Sequence, residues 1–68
     1  MLNKNLLKVA IVRAGTTQKQ LAVDIGMTPN TMTSRMNGSS HFDTDEIDKI
    51  CSVLNICSND EKASIFLS

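Results

Sequence analysis

Directly behind Pro29, residues 30 to 34 bring together the amide of Asn30 and the hydroxyls of Thr31, Thr33 and Ser34, interrupted only by Met32. These are short groups that donate and accept hydrogen bonds; their chemistry is recognition, not bond making. Catalysis would need an acid, a base or a nucleophile converging on a pocket. The chain offers one histidine, His41, and two cysteines, Cys51 and Cys57, with no glycine-rich phosphate loop. Two cysteines without a second pair or a histidine cluster complete no zinc site. No enzyme activity, metal or cofactor is expected, and both thiols are expected to be reduced core filler.

The elements that must hold the polar run are legible from periodicity and caps. Leu6, Leu7, Ala10, Ile11 and Ala14 recur at spacings of three and four, which predicts a helix over residues 3 to 14 stopped by Gly15. Thr17-Gln18-Lys19-Gln20 fits a capping box, so a second, short helix follows, burying Leu21, Ala22 and Ile25 and ending at Gly26. A third begins at once, with Thr28 as N-cap and Pro29 in the first turn, where its missing donor costs nothing. Met27 and Met32 stand where a hydrophobic staple joins the residue before the cap to the fourth helical residue. Gly38 closes this helix. After Ser39-Ser40-His41 and Phe42, a fourth helix starts at Asp43 or Thr44 with acids in its first turn. It buries Ile47, Ile50, Cys51 and Leu54, and Asn55 ends it. Ile56 returns to the core, and Ser58-Asn59-Asp60-Glu61 is a second capping box for a last helix carrying Ala63, Ile65, Phe66 and Leu67. No stretch alternates with period two, so the expectation is a single all-α domain over residues 1 to 68 with five helices.

Two short helices joined by Gly26-Met27-Thr28 match the helix-turn-helix, in which the first helix crosses the DNA backbone and the second lies in the major groove. A reading face must be short, polar and rigid, whereas a merely solvated helix would favour Glu and Lys. With Thr17-Gln18, Leu21-Ala22, Gly26-Met27-Thr28, Met32 and Asn37-Gly38 at their spacings, the chain resembles the Cro and phage-repressor, or XRE, family of regulators. The stretch NGSSHFDTDEIDKICSVLNI resembles the fourth helix of short phage-type members, so the likeness covers residues 3 to 57. It implies a lambda-repressor-like fold, a double-stranded DNA operator as partner, and a backbone-positioning role for Gln18. The family usually has an aliphatic residue where Arg35 stands and often an acid where Met36 stands, paired with an arginine of the first helix. Here that helix position corresponds to Ile11, so an apolar Ile11 and Met36 contact is expected in place of an ion pair. Proline at 29 also departs from the family and leaves only apolar contact, as to a thymine methyl.

Within this frame Asn30 is the leading base reader, because its amide matches N7 and N6 of adenine bidentately. Thr33 and Ser34 are expected to reach bases, with Pro29 and Thr31 as further contacts; Thr31 serves the helix N-terminus equally well. Lys19, Arg35, Asn37, Ser39 and Ser40 join Gln18 as phosphate candidates. A single module makes a small interface, so a homodimer on a palindromic site is expected, with Ile65, Phe66 and Leu67 as its apolar surface, joined by Val9 or Val12.

Charge qualifies this reading. The 68 residues carry zero net charge, but residues 1 to 38 hold Lys4, Lys8, Arg13, Lys19 and Arg35 against Asp24, while residues 39 to 68 hold Lys49 and Lys62 against six acids. A polyanion would be drawn to the first half and repelled by the second. The zero net charge keeps an alternative open: an antirepressor or modulator that binds another repressor protein. Apolar content is 41%, with no run near the roughly 18 residues that suggest a membrane span. No secretory leader pattern opens the chain, and a cytoplasmic location is expected.

Overall fold

The computed structural model describes residues 2 to 67. It is all-α, with five helices: α1 (Lys4–Arg13), α2 (Gln18–Asp24), α3 (Pro29–Met36), α4 (Thr44–Val53) and α5 (Asn59–Phe66). Each starts at a polar N-cap whose side-chain oxygen accepts from a backbone amide three residues on: Asn3, Thr17, Thr28, Asp43 and Ser58. Such a cap satisfies one of the orphan donors of the first turn and contributes about 1 kcal/mol.

Helices α1 to α4 end alike. The amide of Thr16 donates to Ile11 O, Met27 to Ala22 O, Ser39 to Ser34 O and Ile56 to Cys51 O, at 2.7 to 3.2 Å. In each case the residue before that donor has positive φ, which turns the chain back over the last carbonyls. At Gly26 this reversal (φ +76°) shortens the link between α2 and α3 to a few residues. At the end of α4 the same geometry falls on Asn55, at φ 57°, a conformation that asparagine tolerates better than most side chains.

The two expected capping boxes form only by half. Thr17 Oγ1 accepts from Gln20 N at 3.1 Å, but the Gln20 amide turns along the helix to donate to Asp24 Oδ1 at 2.8 Å. Ser58 Oγ accepts from Glu61 N at 3.4 Å, while the Glu61 carboxylate takes the stronger, charge-assisted bond from Arg13. The reciprocal box stands on α4 instead, where Asp43 Oδ1 accepts from Glu46 N at 2.8 Å and Glu46 Oε1 accepts from Asp43 N at 3.0 Å.

Every helix supplies the core. Leu7, Leu21, Met32, Ile50 and Ile65, one from each, are the largest side chains fully withdrawn from water. Ile11 and Met36 are both buried in this cluster. Asn3 N donates to Ile65 O, tying the start of the chain to α5, and Phe42 meets Phe66 edge to face with ring centroids 5.9 Å apart.

Several expected core positions lie outside it. Leu6 is 41% exposed and Ala14 is exposed, because α1 turns only the Leu7, Ala10 and Ile11 edge inward. Ala63 and Leu67 are likewise exposed, Ile47 is half-buried, and Cys57 is exposed whereas Cys51 is buried. Burial pushes the Cys51 thiol up, away from the reactive thiolate.

Candidate nucleic-acid interface

Helix α3 divides into three rows set by its period. Met32 and Met36, four apart, are buried and fix the helix to the body. Thr31 and Arg35, also four apart, are half-buried along its edge. Pro29, Asn30, Thr33, Ser34 and the C-cap Asn37 are exposed and share the remaining face, since positions four apart stack one above another. The structure thus brings together four of the five residues expected to touch bases.

Their hydrogen-bonding capacity differs. Asn30 has no side-chain partner among the described residues, so its donor and acceptor are both free. Thr33 Oγ1 donates to Pro29 O at 2.9 Å. Its proton is therefore occupied, leaving an acceptor oxygen and a methyl group to face outward. Ser34 keeps a free hydroxyl among the described residues. Thr31 is placed differently: its amide donates to Thr28 Oγ1 at 3.2 Å, and its hydroxyl accepts from that of Thr28 at 2.9 Å. It lines a groove with the turn and with Asp43, Asp45 and Glu46 of the α4 start. Thr31 belongs to the helix N-terminus, not to the outward row.

The phosphate candidates separate in the same way. Gln18, half-buried, and Lys19, exposed, open α2 behind the Thr17 cap, where the first-turn amides and the helix dipole favour an anion. Asn37 and Ser39 are exposed at the far end of α3. Arg35 and Ser40 do not stand free. Arg35 Nε donates to Glu46 Oε1 at 2.8 Å and its Nη1 to Ser40 Oγ at 3.0 Å, so the guanidinium bridges α3, the following loop and the start of α4. Arg35, expected among the phosphate contacts, is engaged within the fold by Glu46. Glu46 escaped the sequence reading because its partner is eleven residues away. Its one local signal was the Asp43-x-x-Glu46 spacing of a capping box.

Arg35 holds the Glu46 carboxyl below the usual carboxylate range, first through its hydrogen bond; partial burial opposes this, and the Asp43 amide and nearby Lys49 assist. The folded value lies below the unfolded one, so the pairing contributes stability that is fully present above the unfolded carboxyl pKa, about 4.3, and disappears as pH falls through the folded value. Glu46→Gln should therefore flatten the acid limb of the stability profile, measured by urea unfolding between about pH 7 and pH 3.

Folding also redistributes the charge asymmetry. Arg13 pairs with Glu61, Arg35 with Glu46 and Lys62 with Asp48. Two of the five cations in the first half are thus matched by acids of the second, and Lys19 is the cation left exposed at the helix pair itself. The dimer surface needs correction too. Ile65 and Phe66 are 1% and 7% exposed, filling the chain's own core, so of the three expected residues only Leu67, at 73%, offers surface. Val9 and Val12, at 58% and 75%, are also accessible, as is Val23 at 61%; the first two share a shallow depression with Lys8 and Arg13. His41 is exposed in its loop, and no group of metal-ligating side chains occurs among the described residues. No described helix is long and apolar enough to cross a membrane.

The family of Cro/C1-type HTH DNA-binding domains matches residues 5–60. No curated protein and no solved structure matches the chain. The family match takes in α1 to α4, the turn and the start of α5, and with the exposed polar row of α3 the conclusion is plain: this chain belongs to the Cro/C1-type helix-turn-helix DNA-binding family.

Proposed function

We propose that the chain is a sequence-specific transcriptional regulator, a Cro-like repressor of phage or prophage type that blocks a promoter by occupying its operator. The observation that carries this reading is the row Pro29, Asn30, Thr33 and Ser34, exposed together on a helix whose opposite face is locked into the core. Asn30 reads an adenine through its amide; Ser34 and the Thr33 oxygen and methyl contact neighbouring bases. Gln18, Lys19, Asn37 and Ser39 hold the backbone at the two ends of the pair. Binding as a homodimer to a palindromic operator sets two α3 helices roughly 34 to 36 Å apart, one turn of DNA.

Selecting sites from random DNA and titrating the selected duplex across a salt series tests the reading. Affinity should fall steeply with salt, and Lys19→Ala should weaken every duplex and flatten the slope by about one unit. A Lys19→Ala slope equal to that of the parent would remove Lys19 from the phosphate contacts.

With Ile65 and Phe66 committed to the core, the homodimer uses Val9 and Val12 with Leu67. Val12→Asp should convert a sedimenting dimer to monomer while the circular dichroism of the folded chain keeps its helical signal, with the melting temperature lowered only by the stabilisation that association supplied. An unaltered dimer would move the interface elsewhere. The second reading, a modulator of another repressor protein, is favoured by the internal pairing of Arg13 and Arg35, which leaves few cations free near the helix pair. That protein would select no DNA site at any salt.

A further inference from the structure

Building on the DNA-binding reading, we propose that Glu46 sets the level of sequence-blind affinity by withholding the Arg35 guanidinium from DNA phosphate. A single oxygen, Glu46 Oε1, accepts from Arg35 Nε at 2.8 Å and from Asp43 N at 3.0 Å. The Glu46 amide is bonded in turn to Asp43 Oδ1 at 2.8 Å, so the capping box presents the carboxylate ready-oriented toward α3. Arg35 Nη1 reaches Ser40 Oγ, which anchors the other edge of the guanidinium on the loop.

The setting makes this pair harder to break than its neighbours. The side chains of Arg35 and Glu46 are 23% and 19% exposed, against 60% for Arg13 in its pair with Glu61. Salt and water screen a half-sheltered pair less than an open one. Arg35 lies in the last turn of α3, beside the outward row. A free arginine there would sweep over phosphates on any duplex and add affinity without information. Glu46 acts only through Arg35 and is a positioning residue, not a contact.

The test compares the parent, Glu46→Gln, Arg35→Met and the double variant on one random-sequence duplex between 0.05 and 0.2 M salt, with circular dichroism to verify folding. Glutamine keeps the oxygen that accepts from the Asp43 amide, so the α4 cap survives, and removes the charge, so Arg35 Nε is left with a neutral hydrogen bond weaker than the charge-assisted one and is free to turn to a phosphate. Glu46→Gln should steepen the salt slope by about 0.9, so that its affinity relative to the parent changes roughly 3.5-fold over that fourfold range. Arg35→Met and the double variant should both keep the parent slope. An unchanged slope in Glu46→Gln overturns the proposal. So does a double variant as steep as Glu46→Gln, which would credit the lost acid alone, or an Arg35→Met slope flatter than the parent's, which would mean that Arg35 already touches phosphate. Should Glu46→Gln not fold, the Arg35→Met slope decides. A parent that binds no duplex overturns the DNA-binding reading and this proposal together, whereas a binding parent with any of the contrary slopes overturns the proposal alone.

Discussion

Met32→Ala should destabilise the fold by about 2 to 5 kcal/mol, the usual cost of truncating a fully buried methionine. Met32 is 0% exposed, stands in the first half of α3, and is among the five largest fully buried side chains. A domain of 68 residues has only about 3 to 10 kcal/mol of stability in total. The loss corresponds to a fall of order 10 to 30 °C in melting temperature, enough to leave much of the chain unfolded under ordinary conditions. DNA binding should fail in step with folding, because the residue that fixes α3 to the body is the one removed. Met32→Leu, close in volume, should cost less than about 1.5 kcal/mol and retain binding. Thermal and urea unfolding of both variants checks this; a Met32→Ala protein that melts with the parent would show that α3 is not held by this contact.

Two positions earlier on the same helix, Asn30→Ala should do the reverse. The side chain is exposed and has no partner among the described residues, and alanine has the higher helix propensity, so stability should stay level or rise by a few tenths of a kcal/mol. Operator affinity should drop by about 1 to 3 kcal/mol, with preference relaxed at a single base pair. Titrating the parent and the variant against a set of duplexes changed one base pair at a time locates that position. Equal affinity for the selected operator would mean that the reading register assigned to α3 is wrong. Together the two variants separate the face that builds the helix from the face that uses it.

All five helices were readable in advance because their signals are local. Caps at Thr17, Thr28 and Ser58, the proline at 29 and the glycines at 15, 26 and 38 act within a turn or two of themselves, and the structure places helix ends at each. The outward row of α3 was legible for the same reason, since a 3.6-residue period with Met32 and Met36 inward leaves Asn30, Thr33 and Ser34 outward. One misjudged position failed to a local rival, Gln20 turning to Asp24 instead of the Thr17 cap; others are those where segments remote in sequence meet. The Glu61 carboxylate pairs with Arg13 and does not close the box on its own helix, and Leu6, apolar and in register, faces water because the neighbours of α1 cover a narrower edge than the sequence offers.

Sequence by itself determined an all-α domain of five capped helices and a helix pair carrying a polar recognition face, because dihedral preference, capping and side-chain period are properties of a few adjacent residues. Only the tertiary structure decided which charges and apolar groups remain available. It spent Arg35 on Glu46 and Arg13 on Glu61, and sank Ile65 and Phe66 into the core while leaving Val9, Val12 and Leu67 outside. The physical reason is that ion pairing and burial depend on distance in space, and chain separation of eleven or forty-eight residues says nothing about that until the helices have packed.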